Sequence, residues 1–124
     1  MTLTREEILA MEPGRKLDAL IEEHIFNVDL SGFQWARVGN SMFKNTDGSV
    51  TWIDISRYSE DISAAWIVVE KMRNLGFNLN LYVHQSGYSI VYPSTASGLA
   101  FEEVMCKTTP DAICKVALLA VLNL

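Results

Sequence analysis

Residues 58–93 read YSEDISAAWIVVEKMRNLGFNLNLYVHQSGYSIVYP, and the hydrophobic period changes partway through. Up to Met72 the apolar residues recur at three and four. Ile62, Ala65, Trp66, Val69 and Met72 form one stripe, and Ala64, Ile67 and Val68 fill much of the remaining circumference. That period predicts a helix. Ser59 is placed to cap it, with Glu60 and Asp61 in a first turn that favours negative charge. Lys71 and Arg73 lie toward the other end, and Gly76 is placed to stop it. A helix apolar most of the way round is expected to be buried on more than one side. We therefore expect it between a sheet and another helix. From Phe77 the period drops to two. Phe77, Leu79, Leu81 and Val83 alternate with Asn78, Asn80, Tyr82 and His84, as in a half-buried strand. Ser86-Gly87 reads as a turn into a second strand, in which Tyr88, Ile90 and Tyr92 stand against Ser89, Val91 and Pro93. After the loop PSTASG (93–98), the run LAFEEVMCK (99–107) completes an antiparallel meander.

The flanking segments extend this core. Thr4-Arg5-Glu6-Glu7 is a capping box for a short helix that stops before Pro13. Pro13 suits the first position of a second helix. In it Leu17, Leu20, Ile21, His24 and Ile25 make an apolar stripe, with Arg15, Lys16, Asp18, Glu22 and Glu23 mostly on the other face. That stripe is the expected cover for the helix after Ser59. At the other end Thr109 reads as an N-cap, Pro110 as the first helical residue and Asp111 as a first-turn acid. Ile113, Val116, Ala117, Ala120 and Val121 form the stripe of this last helix. Leu118, Leu119, Leu122 and Leu124 fall off it, so neighbours wrap it or it meets a partner. Residues 27–57 read as an irregular hairpin or ordered loop, with Asp47-Gly48 as the turn between β-prone runs. The expected class is α+β: an α-β-α layered sandwich with N-terminal helices, then α-β-β-β-α around a three-stranded antiparallel sheet. The 124 residues fit one domain.

Three segments together, PGRKLDALIEEHIF (13–26), YSEDISAAWIVVEKM (58–72) and TTPDAICKVALLAVL (108–122), resemble the small phage and prophage proteins of the phage ABA sandwich domain family. The resemblance spans residues 5 to 122 and is weakest between 27 and 57. It implies helix–sheet–helix layering and an origin in tailed phages or prophages of Gram-positive bacteria. It implies no activity.

Composition and motifs narrow the chemistry. A net charge of −5 and a pI near 4.9 argue against gripping nucleic acid by its phosphates. The α-β-β-β-α order is also that of double-stranded RNA-binding domains, but their basic start to the last helix is replaced here by Thr108-Thr109-Pro110-Asp111. No apolar run reaches the roughly 20 residues of a membrane span. The opening MTLTREEILAMEPG does not read as a signal peptide, so the expected location is the cytoplasm of the bacterial host. Cys106 and Cys114 are eight apart, neither a redox pair nor a zinc half-site, and are expected as buried free thiols. His24 sits on an apolar stripe and His84 faces water. A Cys106–His84 pair is unsupported by spacing, and Glu60-Asp61 and Glu102-Glu103 diverge from one another. No phosphate-binding glycine loop occurs. We expect no enzyme, no metal and no cofactor.

Two readings from different classes follow. In the first, the protein is an interaction module for a host or phage protein, or for a second copy of itself. In the second, it sequesters a small ligand such as a nucleotide, with Trp35, Trp52, Tyr58 and Tyr88 stacking on it and Arg57 near a phosphate.

Overall fold

In a computed structural model, which describes residues 3–95 and 102–124, four helices pack with two antiparallel three-stranded sheets. The helices are α1 (Arg5–Ala10), α2 (Arg15–His24), α3 (Ile62–Asn74) and α4 (Thr109–Val121). The first sheet joins β1 (Gln34–Trp35), β2 (Ser41–Thr46) and β3 (Ser49–Asp54). The second joins β4 (Phe77–Val83), β5 (Ser89–Thr95) and β6 (Val104–Cys106). The class is α+β and layered, with the meander in the predicted order. Part of the predicted loop 93–98 and the start of the third run, 99–101, lie outside the described residues. No helix is long and apolar enough to cross a membrane among the described residues.

Residues 27–57 form a hairpin with a short third strand. Asp47 and Gly48 both have positive φ, 47° and 82°, and Thr46 pairs directly with Ser49. Positive φ at both positions gives the tight turn whose twist matches the strands.

The layers differ from expectation in which helix is central. Every residue of α4 from Pro110 to Leu119 is buried. The helix lies against the second sheet on one side and against α1, α2 and α3 on others. Its leucines are thus wrapped by neighbours; Leu122 is half-buried and Leu124 exposed. By contrast, α3 buries only Ala65, Val68 and Met72, against α4 and β4. α3 thus meets a sheet and another helix as expected, but that helix is α4 rather than α2, and with Ile62, Trp66 and Ile67 each 50% exposed the expectation of burial on more than one side is overturned. The reason is positional. α4 occupies the space between sheet and helices and leaves α3 one face to bury.

Helix starts also moved. The cap of α3 is Asp61, whose carboxylate accepts from the Ser63 amide at 2.9 Å. Ser59 is two residues outside, and no acid occupies the first turn. α4 starts at Thr109 with Thr108 in the capping position, so Pro110 is its second residue. α2 starts at Arg15, after Gly14, rather than at Pro13. The Thr4 capping box holds, as does the stop at Gly76, which takes φ 97° directly after Leu75.

Asp18 gives the largest correction. It is fully buried and accepts from Asn40 Nδ2 at 2.8 Å, the Ser59 amide at 2.8 Å and Ser59 Oγ at 2.7 Å. Ser59 Oγ also accepts from the Gly14 amide at 2.8 Å. Ser59 therefore ties the chain ahead of α3 to α2 instead of capping α3.

The central place of α4 makes a sharp contrast between two isoleucines. Ile113→Ala, in the fully buried helix, should cost about 2–5 kcal/mol, while Ile67→Ala should stay within about 0.5 kcal/mol. Urea denaturation measures both, and equal losses would contradict the layer order.

Candidate functional site

Two surface features are built by the second sheet. Alternation along its strands sends Leu79, Leu81, Val91, Pro93, Val104 and Cys106 toward the helices. Asn78, Asn80, Tyr82, Ile90, Tyr92, Ser94 and Met105 face the other way. The register aligns Tyr82, Ile90 and Met105 in one row across three strands. Tyr82 is 60% exposed and Met105 62%. Asn80 Nδ2 donates to Ser94 Oγ at 3.1 Å and Tyr92 O at 3.3 Å, which stiffens the face beside that row. None of these outward residues is charged, in a chain of net charge −5.

The second feature is a cleft of about 390 Å³ where α1, β6 and the start of α4 meet. Leu9, Met11 and Pro13 line it from the α1 side, and Tyr88, Met105 and Lys107 line it from the second sheet and the chain beside it. Cys106, Asp111 and Lys115 are the three most buried of its lining residues. Lys115 Nζ lies 3.2 Å from each Asp111 oxygen. Burial pushes the Cys106 thiol up to about 11, and the Asp111 carboxylate adds to the push. The thiol is thus protonated at neutral pH and a poor nucleophile. His84 is elsewhere engaged, its Nδ1 2.8 Å from Ser86 Oγ. Cys114 is likewise buried and free, its thiol raised well above the usual range by burial. Among the described residues no three His, Cys, Asp or Glu side chains group as metal ligands.

Of the five residues nominated for ligand binding, Arg57 and Tyr58 are consecutive on the connector before α3, and the other three lie on β1, on β3 and just before β5. Trp35, on β1, is half-buried with the Arg15 guanidinium 4.3 Å from its ring centre. Trp52, on β3, is 61% exposed and tilts against its cross-strand neighbour Phe43. Arg57 is exposed, with a loose 3.9 Å contact to Glu60. Tyr58 is buried, stacks on Phe26 and donates its hydroxyl to Glu22 at 2.6 Å. Burial and Glu22 push its phenol far above the usual range. Only Tyr88 of the five lines the cleft. His24, expected on an apolar stripe, is half-buried.

Sequence reasoning missed Asp111 and Lys115 as a pair. The signal was present: an acid and a base four residues apart, the spacing of helix neighbours, inside a helix otherwise apolar on every side.

The raised thiol gives a pH test. The unfolded thiol ionises near 9.0 and the folded Cys106 only near 11, so the folded state keeps a proton that the unfolded chain releases. Its contribution to stability is complete below pH 9 and is lost as pH rises toward 11. We expect the urea midpoint to fall across that window. Cys106→Ala should remove part of the fall, since Cys114 and Tyr58 carry the same sign. A variant with the same alkaline profile as wild type would contradict this.

No curated protein and no solved structure matches the chain. A comparison with protein families does: the phage ABA sandwich domain matches residues 19–118, from within α2 to the buried part of α4. The chain belongs to the phage ABA sandwich domain family.

Proposed function

We propose that this phage-associated domain works without catalysis, as a protein-interaction module that docks through the outer face of β4–β6. The row Tyr82–Ile90–Met105 carries the reading. Aromatic residues and methionine are enriched, and acids and lysine depleted, at the centres of protein interfaces. An uncharged aromatic face on an acidic chain has that composition. The backbone beneath it is hydrogen-bonded within the sheet, so docking there orders little that is loose and incurs a small entropic cost. The complementary surface is apolar: the face of a second sheet or helix, from a host protein, a phage protein or another copy of this chain.

The alternative, sequestration of a nucleotide by Trp35, Trp52, Arg57, Tyr58 and Tyr88, draws less support. Trp35 already stacks on Arg15, and Tyr58 spends its ring on Phe26 and its hydroxyl on Glu22.

Site-specific photocrosslinking in phage-infected cells tests the docking face. A benzophenone side chain at position 82 or 105 should give a discrete adduct, whose mass separates a second copy from another protein. The same probe at Thr51, exposed on β3, should give none. Adducts at 51 but not at 82 or 105, or none at any position, would overturn the proposal.

A further inference from the structure

Among the described residues, α3 has an apolar face that no element covers. Its buried residues Ala65, Val68 and Met72 meet α4 and β4, while α1 and α2 lie against α4 instead. At about 100° per residue, the exposed positions 62, 63, 66, 67, 70 and 73 fall on the side of the helix opposite those three. Ile62, Trp66 and Ile67 adjoin on the first turns of that side, with Ser63 among them. Exposed apolar residues scattered singly are ordinary, but a contiguous group rimmed by polar residues marks a contact surface.

The charges around the group say what covers it. Glu60 and Asp61 precede the first turn of α3, and Lys71 and Arg73 lie in its last. The face is acidic at one end, basic at the other and apolar between, so it is complementary to itself turned end for end. We propose that α3 packs antiparallel against α3 of a second copy of this chain, as the contact of a two-fold dimer. The axis passes between Trp66 and Ile67. Glu60 then faces Arg73 of the second copy, Ser63 faces its Glu70 and Trp66 its Ile67, and symmetry makes each contact twice. The Ser63 hydroxyl donates to the Glu70 carboxylate across the axis. Ile62, Ser63 and Trp66 border a shallow hollow that receives Ile67 of the second copy. Charge also excludes the neighbouring arrangements. Parallel packing sets Glu60 against Glu60 and Arg73 against Arg73, and a slide of one turn toward Asn74 sets Glu70 against Glu70. Glu60 is available for the contact, since it is exposed and Arg57 approaches it only to 3.9 Å. One helix face is small beside the roughly 800 Å² per partner of a stable interface, so the dimer is weak and forms at micromolar to millimolar concentration. α3 lies on the inner side of the second sheet, so the dimer leaves the outer face of β4–β6 open, and the proposal is independent of docking there.

Sedimentation velocity of the purified protein, from micromolar to millimolar concentration, tests the dimer. Wild type should pass from monomer to dimer as concentration rises, less readily at high salt. Ile67→Glu puts a carboxylate at the axis and should leave monomer throughout. Glu60→Arg or Arg73→Glu alone turns two attractions into two repulsions and should raise Kd about tenfold. The double variant Glu60→Arg/Arg73→Glu restores opposite charges and should return Kd to near the wild-type value. These side chains are exposed, and thermal melts of the variants should match wild type. A wild type that stays monomeric throughout, as it would if a different protein covers α3, would overturn the proposal. So would a dimer indifferent to Ile67→Glu, or single charge reversals that the double variant does not rescue.

Discussion

A single buried carboxylate joins the parts of this protein that its helices alone would not. Asp18 sits on α2 with no exposure to solvent and receives one hydrogen bond from Asn40 and two from Ser59. Asn40 leads into β2, and Ser59 belongs to the connector that enters α3. A carboxylate out of water demands donors, and the donors that fold onto it come from residues 22 and 41 positions away. The β1–β3 sheet makes no close backbone packing with any helix. It is held by side chains: Asn40 on Asp18, Trp35 and the Ala36 carbonyl on Arg15, and apolar contacts from Met42 and Ile55. Arg15, Asp18 and Glu22 lie one turn apart on α2, so one helix edge presents the polar anchors for the whole 34–58 region.

The apolar part of the fold is organised differently. Ten consecutive buried residues put α4 in the middle, and the cost of enclosing Asp111 and Lys115 there is reduced by pairing them. With α4 enclosed, α3 and the outer face of the second sheet are left with apolar side chains in water. The sheet face is uncharged and ordered in rows; the most buried residues lining the cleft beside it are Cys106, Asp111 and Lys115. Tyr88 and Met105 stand where face and cleft meet.

Elements and their order were legible because they depend on local period. The switch from three-and-four to two at Phe77, the Asp47-Gly48 turn and the Thr4 capping box all appear where they were read. Cap positions were not, since Ser59 and Asp61, or Thr108 and Thr109, are equally good capping residues close together, and local chemistry does not choose between them. Asp18 was misread by residue type. It stands at i, i+3 and i+7 with Ile21 and Ile25, on the buried face, but an acid was assigned to solvent. Which of two apolar helices is central depends on contacts from distant segments, so the pattern of α3 alone could not settle it. The cleft was illegible for the same reason: its walls come from α1 and β6, far apart in the chain and adjacent only once α4 lies between them.

Asp18 as the anchor of the β1–β3 sheet is tested most directly by residue-resolved amide hydrogen exchange on Asp18→Ala. The variant leaves Asn40 and Ser59 without their acceptor while leaving α4 and its apolar contacts in place. Protection should be lost through β1–β3 and residues 56–61 and retained in α4 and β4–β6. Uniform loss across the chain, or protection of β1–β3 equal to wild type, would contradict it.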